Sequence, residues 1–264
     1  MNGDISYNSN DLQTYDPTTR LGIITNVIEH TNLPDKVASL YALADANGSA
    51  ISAVNYPSRK VTIGGSIKGS SQADLDSRID TFKGYFIGKD QNLDIAYGSS
   101  TRRYIATVNG ISVIRKQKAL YATFQVDFIC TNPFGLDTST TNLWTAKTGF
   151  TSATFTETPT VGGTAPYQLP IITITINSFT GAGDYVQISN DNNNQEMLIY
   201  GLGLAAADVI VIDCVERTVT IDGIEVDYYG TFLELEPGAN SITYTDGFTT
   251  RSVDVSAVYT KRWL

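Results

Sequence analysis

The chain has 264 residues, 42% of them hydrophobic and 17% charged, which is enough for one large or two ordinary domains with packed cores. Its net charge of −9 is unevenly held: residues 1–132 carry 13 Lys+Arg against 12 Asp+Glu, and residues 133–264 carry 5 against 15. Repulsion sets that acidic half against nucleic acid, and no run approaches the roughly 18–20 apolar residues of a membrane helix. The polar opening MNGDISYNSNDLQTYD is unlike a secretory signal, so synthesis in the cytosol is expected.

In chain order, the single histidine, His30 in VIEHTNLP, has no Ser, Cys or carboxylate pattern around it and reads as a surface or turn residue. DANG, residues 45–48, reads as a turn, without a glycine and distal glutamate at the spacing of a calcium loop. RKVTIGGSIKG then alternates Val61 and Ile63 with Lys60 and Thr62, as a strand does. One segment has helical periodicity, near residues 71–86: Leu75, Ile79, Phe82 and Phe86 recur at spacings of 4, 3 and 4. Ser71 is its expected cap, Asp74 and Asp76 suit its positive end, and Gly84 or Gly88 is expected to close it. NLDIAYG, RRYIATVNGISVIRK and ALYATFQVDFIC supply further strands, on which the helix should lie. Residues 1–132 thus read as a β-rich α+β domain with one helix.

Asn132-Pro133 and Gly135 stop the strand that ends at Cys130. Residues 133–165 follow, thick with Thr, Ser, Gly and Pro, and read as a linker or exposed arm with one short strand near Phe150 to Phe155. Residues 166–264 read as an antiparallel β-sandwich. Ile171 to Ile176 is β-branched throughout, and NDNNN suits a hairpin loop between strands near 184–189 and 197–200. In residues 209–245 the signals are densest. Val219 and Ile221 alternate up to Asp222-Gly223, a hairpin turn whose two residues tolerate positive φ, and Ile224 and Val226 begin the return. Pro237-Gly238 marks the next turn before Ile242 and Tyr244.

Groups able to carry chemistry are sparse. Cys130 and Cys214 lie in strand-like patterns beside apolar neighbours and read as buried reduced thiols. Glu234 and Glu236 share one side of a strand about 7 Å apart, a spacing open to carboxylate-pair chemistry but usual for an acidic solvent face. GLGLAA, residues 201–206, matches the dinucleotide fingerprint in letters, yet leaves no room for the helix it requires before the strand at Val209. Arg102, Arg103, Arg115, Lys116 and Lys118 form a local basic cluster on a hairpin, expected as a subunit-contact or channel-facing element. These residues give no catalytic, cofactor-binding or metal-binding assignment, and the chain is expected not to be an enzyme.

The order of VTIGGSIKG, ADLDSRIDTFKGYF, NLDIAYG, RRYIATVNGISVIRK and FQVDFICTNPFG resembles the N-terminal domain of distal tail proteins of long-tailed, non-contractile phages. YQLPIITITI, VIVIDCVERTVTIDG, GTFLELEPGANSITYT and the ending YTKRWL resemble the galectin-like domain that many of them carry. The resemblance implies a structural virion protein at the tail tip, assembled in the host cytoplasm. It implies a homohexameric ring that joins the tail tube protein to the baseplate hub and holds receptor-binding or side-fibre proteins. Sugar binding of the galectin kind is not implied, because the second half has no histidine and its tryptophans are Trp144, in the expected arm, and Trp263, near the end. The alternative from another class is a carbohydrate-binding or receptor-binding tail protein.

Overall fold

A computed structural model describes residues 5–29, 36–42, 49–98, 100–115, 118–181, 185–200 and 203–264. The chain divides into two compact units, Met1–Thr138 with Leu264, and Ser139–Trp263. His30, residues 45–48 and Lys116 lie outside the described residues.

In the first unit, seven strands form an antiparallel path in the order Asn10–Asp11, Ile5–Tyr7, Gln91–Tyr97, Ser100–Arg115, Tyr121–Cys130, Arg59–Lys68 and Gly22–Glu29. Alternation decides which side is buried: Ala122, Phe124, Val126, Phe128 and Cys130 face inward on one strand, Val61, Ile63 and Ile67 on its neighbour. The helix Gln72–Gly84 covers that face with Leu75, Ile79 and Phe82, and Phe86 continues the stripe just past its end. Phe82 lies 4.6 Å from Phe124 and 4.9 Å from Phe86, ring centre to ring centre, and Tyr7 lies 5.0 Å from Phe128. Offset and edge contacts of this kind add to the burial itself.

Local chemistry sets where this helix starts. The Ser71 hydroxyl accepts from the Asp74 N–H at 3.1 Å, and the Asp74 carboxylate reaches back to accept from the Ser70 N–H at 2.7 Å. Two otherwise orphaned donors are thereby satisfied. The closing glycine expected at 84 or 88 does not perform that task. Tyr85 ends the helix in right-handed geometry, its N–H donating to the Phe82 carbonyl at 3.2 Å, and Gly88 takes its positive φ of 115° in the loop beyond.

The second unit is a sandwich of two antiparallel sheets. One runs Thr141–Asn142, Thr250–Tyr259, Pro170–Thr180, Val209–Asp213, Thr218–Ile221, Ile224–Glu225, and Lys147–Phe150 also pairs with Thr250–Tyr259. The other runs Thr154–Glu157, Ile242–Asp246, Tyr185–Asn190, Gln195–Tyr200, Tyr229–Gly230. Ile172, Ile174, Ile210, Ile212, Val253 and Val255 from the first meet Val186, Ile188, Met197, Ile199, Ile242 and Tyr244 from the second in one core. The Asp222-Gly223 turn is as expected, with φ of 50° and 79° and Ile221 opposite Ile224.

The segment read as a linker or arm is built into this sandwich. Residues 139–161 hold four short strands, and Trp144 is buried in the core, its ring edge-on to Phe155 at 6.4 Å. Trp144 therefore anchors this segment on its own unit. Both thiols are free and buried, each in its unit's core, and burial pushes each up to about 12.

Candidate interaction surfaces

The expected basic cluster is not one patch. Arg102 and Arg115 stand near opposite ends of the 16-residue strand Ser100–Arg115, about 40 Å apart at the rise of an extended chain. At the near end, Arg103 donates through Nε and Nη2 to the two oxygens of Asp94 at 2.8 Å each, a bidentate pair that holds its proton more firmly. Arg102 lies opposite Asp137 in the adjoining Gly135–Asp137 strand. At the far end, Arg115 pairs with Asp76 at 2.6 Å and donates to the Gln72 side chain, both on the helix. Closeness in sequence suggested one cluster; a strand lays its residues out in a line.

That far end is a surface of its own. Gln72, Arg115, Lys118 and Leu120 line an open cleft of about 850 Å³, and Ile114, Leu120 and Tyr121 beside it are exposed. The strand outruns much of the core to reach there: Tyr104 and Ala106 are buried, whereas beyond a bulge at Asn109 the residues Ile111, Ser112, Ile114 and Arg115 are exposed and Val113 is half-buried against the core. Two residues, Val108 and Gly110, pair with the consecutive residues Phe128 and Asp127, leaving Asn109 as the extra one.

Composition gave no signal for a second surface. Val37–Ala42 and Ser49–Asn55 form a two-stranded ribbon that pairs with no other described strand. Val37 is 53% exposed, Leu40 64%, Tyr41 54% and Ile51 61%. Leu40 and Ile51 are opposite each other, so an aliphatic pair faces water on an element that an isolated hairpin hardly sustains. Exposed apolar area of this kind marks a place that another surface covers.

The remaining candidates separate. Glu234 lies 3.7 Å from Arg217 in a cleft on the second unit, while Glu236 is exposed at the approach to Gly238, its N–H donating to Asn240 Oδ1 at 3.1 Å. The described part of GLGLAA is a turn running straight into Val209–Asp213, with the Ala205 N–H donating to Asp208 Oδ2 at 2.7 Å. In NDNNN, Asp191 is occupied by the hydroxyls of Ser189, Ser241 and Thr243. Among the described residues, no group of three or more His, Cys, Asp and Glu side chains is placed to hold a metal ion.

Two β-rich units with one described helix make this a mainly β protein. Residues 162–263 match the family described as siphovirus-type tail component, C-terminal domain, of the SPP1 Dit type. Over 99% of this chain and 99% of the other, the fold is similar to the crystal structure of the Dit protein of phage SPP1, with TM-score 0.71 and 14% identity. That protein is described as a paradigm of the hub adsorption apparatus in phages infecting Gram-positive hosts. Two structures of the phage P2 baseplate in its activated conformation, with calcium and with strontium, also match. They do so at TM-scores of 0.45 and 0.42, with 10% and 11% identity, over 98% and 96% of this chain and 97% of each of those. A search of the curated proteins finds no match. The resemblance to distal tail proteins, first drawn from the order of hairpins, is borne out by the C-terminal family match and by the fold of the whole chain.

Proposed function

We propose that this chain is a structural component of a phage tail tip, acting as a homohexameric ring that joins the tail tube to the hub and adsorption proteins. The observation that carries the reading is the ribbon of Val37–Ala42 and Ser49–Asn55, whose exposed Val37, Leu40, Tyr41 and Ile51 call for a protein cover. A neighbouring copy is the occupant a ring supplies, since every copy then both offers and receives the same surfaces. The mixed apolar and basic end formed by Ile114, Arg115, Lys118 and Leu120 belongs in this reading to a second neighbour- or channel-facing contact. Near-neutral charge in residues 1–132 permits such packing, which the acidic second half would resist. The family match over residues 162–263 and the Dit-like fold support the tail assignment, and the proposed role is one of geometry, not catalysis.

Native mass spectrometry and electron micrographs of the purified protein test this directly. A closed ring of six copies is the expected result. A strictly monomeric protein at high concentration, with no ring on tail particles, would overturn it.

A further inference from the structure

A cleft of about 380 Å³ opens on the second unit, lined chiefly by Gln195, Arg217, Tyr228, Thr231, Phe232 and Glu234. Its wall is deliberately close to the sheet. Gly230, at φ 101°, pairs with Met197, and a Cβ there would stand 2.1 Å from the Glu196 carbonyl oxygen, so only glycine lets the segment lie this near. The Thr231 N–H then donates to that same carbonyl at 2.8 Å. Tyr228 and Phe232, on either side of this tether, meet edge-on at 5.0 Å between ring centres, and Phe232 packs on the core while Tyr228 is 38% exposed. A partly exposed tyrosine ring is thereby held at the cleft.

The polar lining is oriented as well. The Gln195 Oε1 accepts from the Glu234 N–H at 2.6 Å and from Asn193 Nδ2 at 3.1 Å, which fixes the amide and leaves its NH2 to donate. Arg217 and Glu234 stand 3.7 Å apart, with side chains 66% and 35% exposed, a loose pair that contributes little to stability and keeps donors and acceptors to spare. One planar donor, one planar acceptor and an amide around an aromatic face match vicinal hydroxyls above an apolar ring of C–H groups. The volume lies at the small end of ligand pockets. Glu234 in the lining and Glu196, Glu225 and Asp227 close by in the chain make the locality unwelcoming to anions.

We propose that this cleft binds a neutral saccharide of one to three rings, with Tyr228 stacking on a sugar face and Gln195, Arg217 and Glu234 reading its hydroxyls. The proposal is independent of the ring: a monomer would bind the sugar equally well, and a ring without sugar affinity would sink only this inference. The test is saturation-transfer NMR and calorimetry on the full chain with maltotriose, cellotriose and chitotriose at up to about 10 mM, covering the millimolar affinity of a small open site. The expected result is transfer to the ring C–H protons of at least one of them. Tyr228→Ala and Arg217→Gln should each weaken that binding by about tenfold, a loss of about 1.4 kcal/mol, with circular dichroism unchanged. No transfer from any of the three, or binding kept within about twofold in both variants, would overturn the proposal. Tighter binding of an oligoglucuronate than of the neutral sugars would overturn it too.

Discussion

The first unit covers its large antiparallel sheet with its one described helix and leaves aliphatic side chains outside, at the ribbon and at the far end of the Ser100–Arg115 strand. The second closes two sheets on each other, and much of its exposed apolar surface is tyrosine: Tyr200, Tyr228 and Tyr229. Leucine and isoleucine gain only when water leaves, whereas a tyrosine ring keeps a hydroxyl that water satisfies. In the proposed reading, the aliphatic ribbon suits a dry, permanent contact and the tyrosine-lined cleft a wet, reversible ligand. Charge follows the same division, with the near-neutral half carrying the ribbon and the acidic half carrying the cleft.

The sharpest way to break this comparison is to unfold one unit and watch the other. Phe82→Ala should cost the first unit about 3–5 kcal/mol, because Phe82 is fully buried between the helix and Phe124. Asp246→Ala should cost the second about as much, roughly 3–5 kcal/mol. Asp246 is buried and accepts from Arg251 Nε at 2.8 Å, the Phe248 N–H at 2.9 Å and the Tyr244 hydroxyl at 2.9 Å, so its loss strands a nearly buried guanidinium. Calorimetry should show each variant lowering one transition; a single transition lowered by both would show that the two compact units unfold together.

Leu40→Lys with Ile51→Lys probes the ribbon. Each side chain covered by a neighbour is worth about 1.5–3 kcal/mol, so association should weaken by tenfold or more while the melting temperature hardly moves. Sedimentation velocity reads the outcome, and an unchanged oligomer would assign the ribbon another role. A smaller effect comes from alkali. Cys130 and Cys214 have folded pKa values raised above the unfolded ones, so their contribution is complete below the unfolded pKa and falls as pH rises from about 9 towards 12, by about 1 kcal/mol per thiol at pH 10. Urea titrations at pH 8 and pH 10 measure the loss; equal stabilities would show that the thiols are accessible. Smallest of all, Arg115→Glu with Lys118→Glu should change the first unit's stability by about 1 kcal/mol or less, since the Arg115 pairing with Asp76 is half-exposed. If the far end of the strand is a contact, ring yield in native mass spectrometry should nevertheless drop.

Much of the fold was legible where periodicity and burial coincide. The alternation through Phe124, Val126, Phe128 and Cys130, the stripe of Leu75, Ile79, Phe82 and Phe86, and the Asp222-Gly223 turn all encode their structure locally. Residues 139–161 do not, because their strands are two to four residues long and are defined by partners such as Tyr259 and Thr245, about a hundred residues away. The cleft was hidden for the same reason: Gln195, Arg217 and Tyr228 meet only after three separate segments have paired. Glu234 was noticed for its neighbour Glu236, though its working partner is Arg217.

The bulge in the Ser100–Arg115 strand reaches further than its one residue. Side chains along a strand point alternately up and down, so an unpaired Asn109 shifts the phase of everything after it. Deleting Asn109 would restore an uninterrupted ladder and leave Ile111, Val113 and Arg115 opposite Val126, Phe124 and Ala122, on the face they hold now. The extra asparagine thus hands the side held by Tyr104 and Ala106 to the odd-numbered residues beyond it, which is what brings Arg115 over the helix to Asp76.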